Sequence, residues 1–245
     1  MLAEYQASLD RRGRYIQVYF GVFLAAMLCV SAAPSFAQAQ AQTQVASPSC
    51  CGAITPQGQR LIALIASLHV ENLWLAHRHI NWETGEADRP ADYAGPDKAT
   101  HCSAFAAAVG ERLGVYMLRP PEHGLTLLAS AQTRWFRGPG GVSQGWKPLE
   151  GPDRARQAQH LANQGNLVVI AYESPNPHTP GHIVIVRPAE KTPEALAQDG
   201  PEIAQAGTHN YSDSIAAKSF THHPGAWPDG MRYYWRVVDW SKLGS

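Results

Sequence analysis

The sequence predicts an α+β fold in which N-terminal helices pack on a small antiparallel sheet. Two observations carry this: helical periodicity fills the first half of the chain, and β-branched apolar runs that pair as a hairpin fill the second. No internal repeat is visible.

Thr55-Pro56 is a helix start, with Pro at the first helical position, and Leu61, Ile62, Leu64, Ile65 and Leu68 supply a broad apolar face up to about Val70. Asn72 to Trp82 reads equally as a helix continuation or an irregular strand, and Glu83 to Lys98, rich in Asp, Glu, Pro and Gly, as a loop. Thr100 can serve as N-cap of a helix that holds Cys102 in its first turn, buries Phe105, Val109 and Leu113 at steps of four on one face, and is closed by Gly114. Arg119-Pro120-Pro121 must be extended, and Leu125, Leu128, Ala131 and Trp135 mark a second helix of this half. Gly138 to Gly145 reads as a flexible flap, since it lacks the Lys-Ser/Thr ending of a phosphate loop. Pro152 to Asn163 is a further helix, stopped by Gly165. Leu167–Tyr172 and His182–Val186 are central strands, with Glu202 to Ala206 and Met231 to Asp239 beside them.

The chain has 20 Lys+Arg against 20 Asp+Glu and is 44% hydrophobic, enough for one core and without the electrostatic footprint of a nucleic-acid binder. Its basic cluster, Arg11, Arg12 and Arg14, precedes the apolar run Tyr15 to Ala33 and the small residues around Ser35-Phe36-Ala37. This predicts a secretory signal peptide over 1–37, cleaved after Ala37 or Ala39, in preference to a retained membrane anchor. Residues 38–49, mostly Gln, Ala, Ser and Thr, read as a disordered spacer, and 50–245 as a single folded domain.

Export places three of the four cysteines in an oxidising compartment, because Cys29 departs with the signal. Cys50 and Cys51 form either a vicinal pair or one of them bonds elsewhere, and Cys102 is the candidate free thiol. At a helix N-terminus, backbone N–H groups and the dipole favour its thiolate. A thiolate nucleophile needs an imidazole, and the imidazole needs a third group to fix its tautomer. His182 opens a buried strand directly after Gly181, which lets another backbone approach. Gln205, between Ala204 and Ala206, is the third group, with Asn210 its competitor. The pair His77 and His79 suggests a metal site only weakly, because no Cys or carboxylate cluster completes a ligand set; no metal or cofactor is expected.

The ordered set Tyr93-x-Gly95, His101-Cys102-Ser103-Ala104-Phe105, Leu113-Gly114-Val115, Leu118-Arg119-Pro120, Gly181-His182-Ile183-Val184-Ile185 and Ala204-Gln205-Ala206-Gly207 resembles the NlpC-type papain-like cell-wall peptidases. The resemblance implies a papain-like fold with Cys102, His182 and Gln205 as catalytic residues and Tyr93 beside the cysteine. The family usually has Asp where His101 stands and Gly where Ala104 stands, so His101 becomes a titratable neighbour, or a rival base, to the nucleophile. The expectation is an exported monomeric cysteine hydrolase of amide bonds, with peptidoglycan stem peptides as substrate, Ser103 and Asn210 as auxiliary residues, and an inhibitor protein among its candidate partners. Its alternatives are an acyltransferase or a non-catalytic envelope binding protein on the same cleft. The glycines of 138–145 and the Pro-rich loop 173–181 are expected to line that cleft.

Overall fold

Thr55 sets the first helix. Its Oγ1 accepts the Gly58 N–H at 3.1 Å and donates to the Asn163 carbonyl at 3.0 Å, so the cap both starts α1 (Pro56–Ser67) and ties it to the middle of the chain. The computed structural model describes residues 49–244, one unit; the proposed signal peptide and all but the last residue of the spacer lie outside the described residues. Cys50 and Cys51 form the vicinal disulfide, and Cys102 is free.

Helix α2 (Cys102–Arg112) ends in a Schellman arrangement: Gly114, at φ +62°, lets its N–H reach Glu111 O while the Val115 N–H reaches Gly110 O. The expectation of one buried face is corrected, because every residue from Cys102 to Gly110 is buried. Its alanines are small enough for neighbours to close on all sides. The helix also has His101, not Thr100, at its N-cap, and no side chain caps it.

Then follow α3 (Leu128–Arg137), α4 (Pro139–Ser143), β1 (Lys147–Leu149), α5 (Arg154–Asn163), β2 (Leu167–Tyr172) and β3 (His182–Val186). The chain closes with α6 (Pro193–Asp199), β4 (Glu202–Gln205), β5 (Tyr211–Ile215), α7 (Ala216–Phe220) and β6 (Arg232–Arg236). The six strands form one antiparallel sheet in the order β1-β6-β2-β3-β4-β5, so the fold is α+β.

The alternation of β3 divides the core. Ile183 and Ile185 join Leu61, Ile65, Phe105 and Val109 on the face covered by α1 and α2, while Val184 and Val186 join Ala158, Ala162 and Phe220 on the face covered by α5 and α7. The flap expected at 138–145 is instead α4. Gly141 lies so close to the Phe136 backbone that a Cβ there would sit 2.5 Å from its carbonyl oxygen, and that contact orders the turn. Residues 72–82 form turns, with only Ile80 bridging to Ala87. Among the described residues no helix is long and apolar enough to cross a membrane.

Candidate active site

The thiol and the imidazole come to the same end of the sheet from its two faces. Cys102, 3% exposed, belongs to the core under α2, and the backbone N–H of Ile183, the residue after His182, faces its sulfur. His182, 5% exposed, starts β3 on the other face, where Phe220 meets its ring edge-on at 5.2 Å and His223 stacks on it at 4.7 Å with planes 15° apart. Gly181 lets the strand begin there: its N–H donates to Ser130 Oγ at 3.1 Å, and a Cβ would overlap the Tyr172 carbonyl.

The orientation of the ring follows from donors and acceptors. Gln205 Nε2 donates to the His209 carbonyl at 3.0 Å, so its Oε1 turns to His182. That oxygen only accepts, hence His182 carries its proton on Nε2 and donates it across 2.9 Å. Ser219 Oγ, also 2.9 Å from Nε2, donates in turn to Gln205 Oε1. Nδ1 is left with the free lone pair and has no hydrogen bond among the described residues. Ser219 is not legible in the sequence, and His223 suggests there only a metal ligand: both lie in the 216–224 stretch, whose short helix and following turn are held by tertiary contacts and carry no extended period.

Burial sets the protonation states. It pushes the Cys102 thiol up to about 11, against the pull of the backbone N–H groups of Ile183, Ser103 and Cys102 itself. It also pulls His182 down to about 3, helped by His223 and opposed by the hydrogen bond to Gln205. The thiolate expected from the helix terminus is therefore corrected to a resting thiol, and the imidazole of His182 rests neutral. No hydrogen bond joins Sγ to His182 among the described residues. Cys102 opens on a cavity of about 250 Å³ and His182 on one of about 350 Å³, and the two adjoin at Ala99, Thr100, Pro180 and Gly181.

The auxiliary residues divide. Ser103 lines the thiol cavity, and its carbonyl accepts from Gln132 Nε2 at 3.2 Å. His101 is not a rival base: its Nε2 meets the Arg78 carbonyl at 2.8 Å, Nδ1 is buried without a partner, and burial lowers its pKa. Asn210 does not orient His182. Its Nδ2 donates to Val70 O and Leu73 O, each at 2.8 Å, and its Oδ1 accepts from the Gly207 N–H, pinning the β4–β5 turn to the 70–74 segment. Tyr93 lines neither cavity; it packs edge-on to His79 at 5.1 Å. Of the expected cleft loops, His178 to Gly181 line the cavities and residues 138–145 do not. His77 sits at φ +64° in a turn, so no strand presents it with His79, and among the described residues no group of three or more His, Cys, Asp or Glu could hold a metal ion.

No protein-family model matches the chain, and no curated protein matches it. The likeness to NlpC-type peptidases accordingly rests on the residue pattern alone.

Proposed function

We propose that the chain is an exported cysteine hydrolase that cuts amide bonds in peptidoglycan stem peptides, with Cys102 as nucleophile, His182 as base and Gln205 as the group that fixes the base. The observation that carries this reading is the hydrogen-bond chain from His209 O through Gln205 to His182 Nε2, which leaves the Nδ1 lone pair free at the sheet end where the thiol opens. Cys-His-amide enzymes use this tautomer.

Substrate would draw the two groups together, since catalytic contacts tighten in the bound complex. The thiol proton passes to Nδ1 as Sγ bonds to the amide carbon, and a first-turn backbone N–H of α2 stabilises the oxyanion. The C–N bond then breaks as the leaving nitrogen takes the proton from Nδ1; water gives a proton to Nδ1 as its oxygen bonds to the acyl carbon, and the C–S bond breaks with return of that proton to Sγ, releasing the acid. The periplasmic or secreted location comes from the 11–39 segment of the sequence, and the peptidoglycan substrate from the family resemblance.

A second reading, a weakly active or non-catalytic envelope binding protein or an acyltransferase on the same cleft, is favoured by the protonated thiol and the missing Sγ–imidazole bond. Digestion of purified sacculi with wild-type and Cys102→Ala protein, with mass analysis of released fragments, separates the readings. Fragments with new termini from the wild type alone support the hydrolase, and identical fragment patterns refute it.

A further inference from the structure

The two cavities that meet over the end of β3 differ in chemistry. The thiol cavity is walled by Leu125, Leu127, Leu128 and Ala129, and its carboxylate, Asp97, accepts a hydrogen bond from Thr126 Oγ1. The imidazole cavity carries Lys218, His209, His222, His223 and Tyr211, and no carboxylate lines it. Lys218 is exposed, sits 4.2 Å from the centroid of the Tyr211 ring, and forms no ion pair among the described residues. An ammonium with an aromatic face but no anionic partner, among imidazole and hydroxyl donors, is a place for an anion, whereas Asp97 repels one from the thiol side.

Resting on the hydrolase reading, the chemistry also says which half of a substrate goes where. The nitrogen that leaves must receive its proton from His182, so the amine half lies in the imidazole cavity, and the acyl half, bonded to Sγ, lies in the thiol cavity. We infer that the imidazole cavity is a carboxylate-binding subsite, and that the preferred substrate is an amide with a small apolar acyl residue whose leaving amine carries a carboxylate. Lys218 is the principal charge partner, with His222 beside it. Neither residue takes part in bond making, so both act on substrate binding alone.

The test separates binding from turnover. Full-length Cys102→Ala protein is titrated with acetyl-alanyl-alanine as free acid and as carboxamide, in both configurations of the terminal residue, while the imidazole resonances of His209, His222 and His223 are followed by NMR. The free acid is expected to bind roughly ten- to a hundred-fold more tightly than the carboxamide, the range of one charge-assisted hydrogen bond, and Lys218→Met with His222→Gln should erase the difference. Equal binding of acid and amide, no response to either, or a preference that survives the double substitution overturns the subsite. Wild-type turnover of the same pair keeps the two conclusions apart. A binding preference without cleavage leaves the subsite standing and removes the hydrolase, and cleavage of acid and amide at equal rates does the reverse.

Discussion

Alkylation of Cys102 by iodoacetamide reads the resting state of the site directly. The thiolate is the reacting species, and with a thiol pushed up to about 11 the thiolate fraction at pH 7 is about 10⁻⁴, against about 0.03 for a free cysteine near 8.5. Ionisation alone thus slows the reaction about 300-fold. A more basic thiolate is intrinsically more nucleophilic, with a Brønsted slope near 0.4–0.5, which returns about ten-fold over this interval. The net expectation is a rate about 30-fold below that of free cysteine at pH 7, slower still for a sulfur in a side chain only 3% exposed, and rising log-linearly through pH 9. The assay is a time course of carboxamidomethylation of the Cys102 peptide by mass spectrometry from pH 5 to 10, in wild type and His182→Ala. Near-equal rates for the two proteins are expected, because the resting imidazole makes no hydrogen bond to the sulfur. A wild-type rate that plateaus below pH 7 would refute the reasoning: it requires a thiolate–imidazolium pair already present, with the helix terminus and the Ile183 N–H outweighing burial.

Gln205→Leu removes the acceptor that holds the Nε2 tautomer and should lower kcat on the wild-type substrate by about 10²-fold, the low end of what general acid–base catalysis contributes, whereas Ser219→Ala should cost about five-fold. Gly181→Ala drives a methyl into the Tyr172 carbonyl and should destabilise the fold by about 1–3 kcal/mol, read from the urea midpoint. Asn210→Ala strips the clamp on Val70, Leu73 and Gly207 and should cost about 2–3 kcal/mol while leaving kcat per folded molecule near wild type, which an orienting role would not allow. His182, about 3 in the fold and near 6.5 in the unfolded chain, stays neutral when folded while the unfolded state gains a proton. Stability should therefore fall by about 1.4 kcal/mol per pH unit from pH 6.5 toward 3, with His101 acting in the same sense; denaturant midpoints independent of pH across that window would contradict it.

What could be read from the chain alone was whatever burial had written into local pattern. Leu167–Tyr172 and His182–Val186 are buried at every position, and such strands show as near-continuous runs rich in Val and Ile without polar alternation. Thr55-Pro56 and Gly114 act within one turn of themselves and were equally plain. Tyr211–Ile215 is a half-exposed edge with Ser, Asp and Ser at its centre, so only pairing with β4 makes it a strand. Gly138–Gly145 has the composition of a loop, and the helical turn within it, Pro139–Ser143, packs Gly141 against the Phe136 backbone at the end of α3, a contact that composition does not show. The protonation state of Cys102 was misread for a related reason: the helix terminus is local and visible in sequence, while the desolvation that overrides it comes from the packing of distant segments.

Strand alternation explains why the site sits where it does. Within β3, residues that face α2 cannot also face α7, so a thiol on α2 and an imidazole at an even position of the strand are separated by the sheet everywhere except at its edge. His182 is the first residue of β3 and Gln205 the last of β4, and antiparallel pairing brings those ends together at one margin of the sheet. At that margin the two cavities share Ala99, Thr100, Pro180 and Gly181 in their walls. On the hydrolase reading, the scissile bond of a substrate lies where those shared walls meet. A substrate that fills both cavities is, on that proposed reading, what brings base and thiol together, since among the described residues no hydrogen bond joins Sγ to His182 at rest and burial keeps the thiol protonated.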